Sequence, residues 1–530
     1  MTELTESFHK SAALVKLWGR AKLQDGKTLE DILTIEGISM WSVVSPILAM
    51  SYIPDLVSKP SIHKSPLAKI KRFAINEAKK TKRHLFDCKA KMASNTVGCD
   101  SWPKDSTFLC LGFTHYISRE TLYPVANKLS IRPESSVVVI DDLFSAENLL
   151  IEHFEVIRQS VWQHWYPAIN YDISKMRKAL KSATTQLYEP SGLKKIVEAS
   201  GFHWCDVKHL FDWLLQAYMP RLLVYVAIAK HIVSCHRPAL IISPDVNNPL
   251  TRIFCLAGKL NRIKTLEVQF SFYGANDVEW YFFVADHLAV TGNENFKLML
   301  DRGISPEKMT VTGSARYDSL LSWPIEHVMN IRKQLGISVE KKLVLFASQP
   351  YYFGAFCNPA IRHKMINGLF DAVSNVSGIK LVVKPHPGDD PNELMSIAKG
   401  YNNIIFTARS LDIRDLIKAS DVFVTFYSST TFDALAMNKP TINLAYPKAN
   451  PSNPIENSGA TLVAKNDEEV SRFINSISSG KIDELFDGLS NARDVFLYNW
   501  FYQLDGRAAE RIESIALNMA SFEKDFTICD

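Results

Sequence analysis

The chain has 530 residues, of which 47% are hydrophobic and 22% are charged, and its net charge is +4 at pH 7. This composition indicates a folded protein with more than one domain and excludes large-scale disorder. Its eight cysteines form no Cys-x-x-Cys pair, which argues against a disulfide framework and a cysteine-rich zinc site and favours a reducing compartment.

The first hundred residues contain an apolar segment followed by a basic one. Residues 38–54 are uncharged but include two prolines, and they are too short for a bilayer span, so we predict a buried helix. Residues 59–84 hold nine Lys or Arg and one Glu. Such a segment can bind an anionic membrane surface or an anionic acceptor, and a solvated helix face is the alternative.

Nucleic acid is not expected as a partner, because no aromatic residues or recognised binding motif accompany these charges. No secretory signal opens the sequence. We therefore expect a cytoplasmic protein, with peripheral attachment at the inner face of the membrane through residues 59–84 as an option.

From residue 105 onwards strands alternate with helices, which is the pattern of a parallel sheet covered on both faces. A long apolar helix is predicted at 210–236. The strands predicted in this part are 106–113, 136–144, 238–245, 264–271, 286–292 and 308–313.

A second set of alternating elements follows, and the last segment, 491–520, is predicted as one long helix. The strands predicted in this part are 342–349, 379–387, 402–409, 420–429 and 439–447. We predict an α/β protein with two doubly wound Rossmann-like domains that face each other across a cleft. The predicted divisions are a helical N-terminal extension (1–104), a first domain (105–325), a second domain (326–490) and a C-terminal helix packing back across the domains (491–530).

A histidine between two prolines ends one predicted strand, in the sequence "LVVKPHPGDD". Each proline fixes its φ at about −65°, so His386 has little backbone freedom. A side chain held in this way can meet a phosphate or a leaving group at a low ordering cost. The alternative is that the prolines only end the strand.

Hydroxyl residues follow the predicted strand at 420–429. Thr430 and Asp433 fit a capping box, which predicts them as helix caps. Ser428 and Ser429 then lie just before a helix N-terminus, where hydroxyl groups, free N–H groups and the helix dipole favour an anion. A diphosphate or a phosphodiester would fit there, and ordinary turn-forming serines are the alternative.

The pairing of "KPHP" with "SDVFVTFYSSTTFDALAMNKPTI" one αβ unit later resembles the carboxyl-terminal half of GT-B glycosyltransferases that build bacterial surface polysaccharides. Closest in pattern are the CDP-glycerol glycerophosphotransferase-like proteins and the capsular β-Kdo and sialyl or polysialyl transferases. The resemblance covers residues 105–480 and is specific over 381–447. It implies a GT-B fold and a cytidine-nucleotide donor held by the second domain.

The resemblance also implies a set of donor-site residues. His386 would contact the donor phosphate, and Ser428 and Ser429 would hold it. Gln349, at the end of the first strand of the second domain, would line the same pocket. Lys384 and Thr430, which adjoin these residues, are included in the expected donor-phosphate site.

The first half departs from the teichoic-type pattern, because "LEVQFSFYG" keeps Gln269 and lacks the histidine of a His-Gly pair. A general base must therefore come from elsewhere. Asp245 is the first candidate, since it follows a strand and precedes a helix. The other candidates at strand ends are His115, Asp141 and Asp142.

No cluster of His, Cys, Asp or Glu has the spacing of a metal site, so no metal and no cofactor are expected. The sequence predicts a metal-independent transferase that moves a sugar, with CMP-Kdo or CMP-sialic acid as favoured donors, to a surface polysaccharide or lipid-linked glycan. If a CMP-Kdo donor reacted with retention, Asp245 could be a covalent nucleophile. The alternatives are a CDP-glycerol-type polyol phosphotransferase, a UDP-sugar 2-epimerase and a non-catalytic glycan-binding module.

Overall fold

The computed structural model describes most of the chain from residue 3 to residue 521. The described residues are 3–23, 25–53, 102, 107–114, 117–142, 156–166, 168–189, 191–245, 247–270, 278–322, 325–349, 359–408, 410–426, 428–447 and 454–521. The basic segment 59–84 and His115 lie outside them.

The N-terminal residues form helices that pack on the first of two sheets. The elements are α1 (Glu3–Arg20), α2 (Leu29–Ile32), β1 (Thr34–Ile35), β2 (Ile38–Ser39), α3 (Met40–Ile47) and a π-helical turn (Leu48–Tyr52). Most of α3 is buried, as predicted for 38–54, and its Ser42 carbonyl accepts a hydrogen bond from Arg252 Nε at 2.9 Å. Within the described part of the chain, no helix has both the length and the apolar character needed to cross a bilayer.

The first sheet has seven parallel strands in the order β5-β4-β3-β6-β7-β8-β9. Counted from β3, this is the order 3-2-1-4-5-6 of a doubly wound fold with one further strand at the edge. The strands are β3 (Thr107–Leu111), β4 (Ser136–Asp141), β5 (Val156–Ser160), β6 (Leu240–Ser243), β7 (Thr265–Val268), β8 (His287–Val290) and β9 (Met309–Val311).

Helices cover both faces of this sheet, so its central strands are apolar on both sides. The helices are α4 (Tyr123–Ser130), α5 (Ile169–Tyr188), α6 (Gly192–Ala199), α7 (Trp204–Trp213), α8 (Met219–His236), α9 (Pro249–Leu260) and α10 (Asn293–Asp301). The predicted helix at 210–236 spans α7 and α8, which a π-helical turn joins just before Pro220. The shorter turns are Ser118–Leu122, Val161–His164, Leu214–Tyr218, Glu279–Phe282, Pro306–Lys308 and Ala315–Ser322.

The second sheet has six parallel strands in the order β12-β11-β10-β13-β14-β15, which is again 3-2-1-4-5-6 counted from β10. The strands are β10 (Lys342–Ala347), β11 (Ile379–Lys384), β12 (Ile404–Phe406), β13 (Val422–Thr425), β14 (Thr441–Leu444) and β15 (Leu462–Ala464). The helices are α11 (Ile325–Gln334), α12 (Pro359–Ser374), α13 (Pro391–Ile397), α14 (Ile413–Ala419), α15 (Thr430–Ala436), α16 (Asp467–Ser478) and α17 (Ile482–Phe486). Two doubly wound sheets and helical N-terminal residues confirm the predicted fold class.

Two helices occupy the described residues from 489 to 521, so the prediction of one long helix at 491–520 was wrong. These helices are α18 (Leu489–Phe501) and α19 (Ala508–Ser521). The break lies where Tyr502 takes a positive φ of 55°, which an α-helix does not accommodate. Helix α18 packs near the second sheet, whereas α19 buries Ala509 and Ile512 against the face of the first sheet that holds Phe108.

Candidate functional site

The switch point of the second sheet lies between β10 and β13, where the strand order reverses. The register aligns Ala347 at the end of β10 with Lys384 of β11 on one side and Thr425 of β13 on the other. Neighbouring strands are about 4.8 Å apart, so β11 and β13 end about 10 Å from each other. The structure therefore brings the turn after β11, which carries His386, to the same sheet edge as Ser428 and Ser429.

The residues after β11 form a closed turn around His386. The Asp389 N–H donates to the His386 carbonyl at 2.9 Å, and the His386 N–H donates to Asp389 Oδ2 at 3.0 Å. The Gly388 N–H donates to His386 Nδ1 at 3.0 Å, so Nδ1 is unprotonated and a neutral ring carries its proton on Nε2. Burial lowers the pKa of His386, and the charge of Asp389 offsets only part of this effect. The lowered pKa favours the neutral ring.

The hydroxyl residues before α15 have different surroundings. Ser428 is buried, and its Oγ accepts the Thr430 N–H at 3.3 Å while its carbonyl accepts the Thr431 N–H at 2.9 Å. Ser428 therefore caps the helix itself. Ser429 is exposed and makes no side-chain capping bond. Thr430 Oγ1 is buried with no protein partner in the described part of the chain.

The predicted capping box between Thr430 and Asp433 was wrong. Asp433 is fully buried, and its Oδ2 accepts a hydrogen bond from Arg316 Nη2 at 2.8 Å instead of reaching back to the helix start. Asp433 pairs with Arg316 rather than with a backbone N–H at the helix start, because a buried carboxylate needs a countercharge.

Lys384 and Gln349 adjoin the site through backbone contacts. Lys384 Nζ donates to the carbonyls of Ala408 and Leu411 at 3.1 and 2.7 Å, so its ammonium group holds the segment after β12. The Gln349 carbonyl accepts a hydrogen bond from Arg362 Nε at 2.8 Å. These contacts direct the Lys384 charge toward the protein backbone.

In the first sheet the switch point lies between β3 and β6, and Asp245 follows β6 there. Asp245 Oδ2 accepts a hydrogen bond from Thr114 Oγ1 at 3.1 Å, and Oδ1 accepts the Asn247 N–H at 3.0 Å. Thr114 Oγ1 in turn accepts one from Asn248 Nδ2 at 3.3 Å. Burial raises the pKa of Asp245 against these donors, as expected for a carboxylate kept from water and poised to take up a proton.

The other acids at strand ends lie at the end of β4, which β3 separates from β6. Asp141 is buried, and its Oδ2 pairs with Arg158 Nε at 2.7 Å. Asp142 is half-buried, and its carbonyl accepts a hydrogen bond from Trp162 Nε1 at 3.1 Å. Since Arg158 occupies its Oδ2, Asp141 has the geometry of a structural ion pair.

An ion-pair network crosses between the two sheets. Glu120, in the turn after β3, pairs with Arg316 at 2.9 Å and with Arg414 at 2.7 Å. Arg414 opens α14, which follows the carboxyl end of β12. The network therefore ties the turn after β3 in the first sheet to the start of α14, which follows β12 in the second. These residues were not predicted from the sequence, because Glu120 and Arg414 are 294 positions apart.

The residues that support the His386 turn were also not predicted from the sequence. Arg362 is fully buried and pairs with Asp389 at 3.0 Å, and Ser348 Oγ donates to the same carboxylate. The acids of "HPGDD" were the available signal, but their partner on α12 is 27 positions away. Among the described residues, no group of three or more His, Cys, Asp or Glu is placed to hold a metal ion.

Residues 285–517 match the family described as CDP-Glycerol:Poly(glycerophosphate) glycerophosphotransferase. This match confirms the resemblance to surface-polymer transferases, and its range includes the motifs at 381–447. No curated protein matches the chain.

Several solved structures are similar to the chain. The S. aureus MnaA–UDP structure is 15% identical and has a TM-score of 0.48, with 78% of this chain and 97% of that chain covered. A variant of the wall teichoic acid polymerase TagF soaked with CDPG is 12% identical with a TM-score of 0.48, covering 85% and 99%. A glycosyltransferase from Rickettsia africae ESF-5 is 14% identical with a TM-score of 0.48, covering 78% and 99%.

Proposed function

We propose that this protein is a metal-independent transferase that moves a glycosyl or polyol-phosphate group from a cytidine-nucleotide donor to a surface-glycan or lipid-linked acceptor. The donor binds at the carboxyl edge of the second sheet, and the acceptor binds at the carboxyl edge of the first. The family match over residues 285–517 supports the transferase class.

One observation carries the proposal: the turn of His386 and the hydroxyls of Ser429 and Thr430 lie at the switch point of the second sheet. Ligands of open α/β sheets bind at such points. An Nε2–H donor and nearby hydroxyl groups can stabilise the negative charge that develops on a departing phosphate. The side chains there fit an anionic nucleotide better than a neutral sugar.

The acceptor hydroxyl is deprotonated by Asp245. Its raised pKa brings the carboxyl closer to the pH at which it works, and Thr114 and Asn247 hold the carboxylate in one orientation. The ion pairs of Glu120 with Arg316 and Arg414 join the turn after β3, near which Asp245 lies, to α14 of the second domain.

Two donor classes fit this site. CMP-Kdo and CMP-sialic acid carry one phosphate between nucleoside and sugar, and they are the donors favoured by the capsular-transferase resemblance. CDP-glycerol carries two phosphates, and the family match favours this polyol phosphotransferase reaction. The classes differ in the bond that breaks, which is a glycosidic C–O bond in the first and a P–O bond in the second.

Nucleotide binding tests the donor assignment. We expect CMP and CDP to raise the melting temperature of the protein, while UDP, GDP and ADP leave it unchanged. At a hundredfold excess over the dissociation constant, the stabilisation is about 2.7 kcal/mol. Equal stabilisation by UDP would contradict the cytidine assignment, and formation of an epimerised sugar without acceptor would establish a 2-epimerase instead.

Replacement of the candidate bases tests the acceptor side. Asp245→Asn should lower turnover by about 10²- to 10⁴-fold with little change in nucleotide affinity, which is the range of a general base. Asp142→Asn and His115→Ala serve as comparisons, because both residues follow neighbouring strand ends. Wild-type turnover in Asp245→Asn, with a loss in one of the others, would transfer the role of base to that residue.

We also propose that the protein works at the cytoplasmic face of a membrane, where lipid-linked acceptors are found. The basic composition of residues 59–84 supports this location, since clustered Lys and Arg are attracted to anionic lipids. Co-sedimentation with vesicles that contain anionic lipid should be lost when these basic residues are replaced by Gln. Binding that persists in that variant would contradict the assignment.

A further inference from the structure

A buried ion pair lies directly beneath the His386 turn. Arg362 on α12 and the side chain of Asp389 are both shielded from solvent, and their Nη2 and Oδ1 atoms are 3.0 Å apart. Arg362 Nη1 also contacts Glu393 Oε1 at 3.1 Å, and its Nε donates to the Gln349 carbonyl at 2.8 Å. Every side of the guanidinium group is thus engaged by the second domain.

This ion pair is poorly explained as a source of stability alone. Apolar residues of the same volume would often stabilise a protein as well or better than a buried ion pair, because desolvation of two charges offsets their attraction. We therefore expect this buried ion pair to orient a neighbouring group.

The second oxygen of Asp389 shows what the pair orients. Asp389 Oδ2 accepts the His386 N–H at 3.0 Å, and it also accepts a hydrogen bond from Ser348 Oγ. Ser348 directly follows β10, the central strand at the switch point. The carboxylate thus connects a rigid helix and a rigid strand to the first residue of the turn.

The turn then fixes the imidazole. Gly388 lies between His386 and Asp389 in the turn, and its N–H donates to His386 Nδ1 at 3.0 Å. This bond sets the side-chain rotamer and places the proton of the neutral ring on Nε2. Among the described residues, His386 Nε2 has no protein partner, which leaves its N–H available to a ligand.

We propose that Asp389 and Arg362 are positioning residues, which act through this turn to present the Nε2–H of His386 to a phosphate of the nucleotide donor. The inference rests on the proposed function. Beyond that function, donor recognition depends on one imidazole tautomer of His386. The Asp389 carboxylate, which does not contact the donor, maintains this tautomer.

The test has one arm that needs no ligand. In ¹⁵N NMR spectra of the full-length protein, the His386 ring should show an unprotonated Nδ1 and a protonated Nε2. Asp389→Asn removes the charge that pairs with Arg362 and leaves one acceptor oxygen for the hydrogen bonds that Oδ1 and Oδ2 now divide. The His386 N–H is then held less firmly, so we expect a mixture of both tautomers. Asp390→Asn is the matched control, because the neighbouring Asp390 only caps α13 through the Asn392 N–H at 3.0 Å, a role that Asn also fills.

The second arm measures CMP and CDP affinity by calorimetry in a double-mutant cycle. Asp389→Asn should weaken binding about tenfold, as for one hydrogen bond to a charged group. In a His386→Ala background the same substitution should have no further effect, since it acts through the imidazole. A general loss of structure would instead lower affinity in both backgrounds.

If Asp389→Asn does not fold, Ser348→Ala removes one hydrogen bond to the carboxylate and is measured in the same two ways. An unchanged tautomer, or additive losses of affinity in the cycle, would overturn the inference and leave the proposed function intact. Absence of any nucleotide binding by the wild type would overturn the proposed function, and the donor-positioning role with it. The NMR arm then reports the tautomer separately.

Discussion

Gly292, just before α10, packs directly against the backbone of Trp500 near the end of α18. Replacing Gly292 by Ala tests whether this close backbone packing is needed for stability. A Cβ atom at Gly292 would lie 2.3 Å from the carbonyl carbon and 2.3 Å from the carbonyl oxygen of Trp500, near the end of α18. Carbon atoms in normal contact are about 3.5–4.0 Å apart. The φ of Gly292 is −167°, an extended conformation open to any residue, so the effect of the substitution comes from the clash alone.

The magnitude follows from what the clash displaces. Overpacking of this kind costs about 1–3 kcal/mol. The Trp500 carbonyl also accepts hydrogen bonds from Thr291 Oγ1 at 3.1 Å and Asn295 Nδ2 at 3.4 Å, and each is worth about 0.5–1.5 kcal/mol. The total loss in the free energy of unfolding is therefore about 2–6 kcal/mol.

Thermal unfolding and hydrogen exchange measure the effect. For a domain of about 200 residues we expect the melting temperature of Gly292→Ala to fall by at least about 4 °C, with faster amide exchange in α18. Thr291→Val is the control, because it removes the bonds of Thr291 Oγ1 to Trp500, Gln269 and Asn295 without adding volume. Without a backbone clash it should lower the melting temperature less. If Gly292→Ala melted within 1 °C of the wild type, or no lower than Thr291→Val, close packing of Gly292 on the Trp500 backbone would not be needed for stability.

Three further outcomes are expected. Burial lowers the pKa of His164 to about 3, so its contribution to stability is complete above pH 6.5 and is lost as pH falls toward 3, by up to about 1.4 kcal/mol per pH unit. The urea midpoint of His164→Gln should therefore fall less steeply with falling pH than that of the wild type. Parallel curves would refute this. Lys384→Met should lower the melting temperature and change CMP affinity less than twofold, because the ammonium group binds two carbonyls; a tenfold loss of affinity would show that Lys384 binds the donor. Asp318 accepts the first two N–H groups of α19. Asp318→Ala should therefore lower the free energy of unfolding in urea by about 1–2 kcal/mol, and Asp318→Asn by much less. Equal losses would show that capping is not its role.

The strands were largely predictable from the sequence because central strands of parallel sheets are continuous apolar runs. Each strand predicted from residue 106 onwards contains a strand of the structure. The strands β5 and β15 were missed. Both are edge strands with one neighbour, and their residues are mostly half-buried, so neither needs a long apolar run.

The site was predictable only where its residues directly follow a strand. His386 and Ser428 were found in this way, because "KPHP" and "FYSS" each follow a strong strand signal. Arg362 lies in the first turn of α12, and an arginine is usually expected to face solvent. Its burial against Asp389 depends on how α12 packs over the sheet, which no local pattern encodes.

The contact that replaces the predicted capping box was also beyond local reasoning. The spacing of Thr430 and Asp433 satisfies the motif, yet the countercharge of Arg316 arrives from a turn that precedes the second sheet. Local motifs describe what a segment can do alone. Buried charges are governed by whatever countercharge tertiary packing supplies.

The position of α19 has a consequence for how the protein is made. Ala509 and Ile512 complete the same apolar layer as Phe108 and Cys110, although about 400 residues of synthesis separate them. At about 5–20 residues per second, a ribosome needs roughly 20–80 s to deliver that helix. During this interval the second sheet has already emerged, while the earlier one still exposes an uncovered hydrophobic strip. Chaperones that bind nascent chains should therefore dwell on this strip until the last helix leaves the exit tunnel.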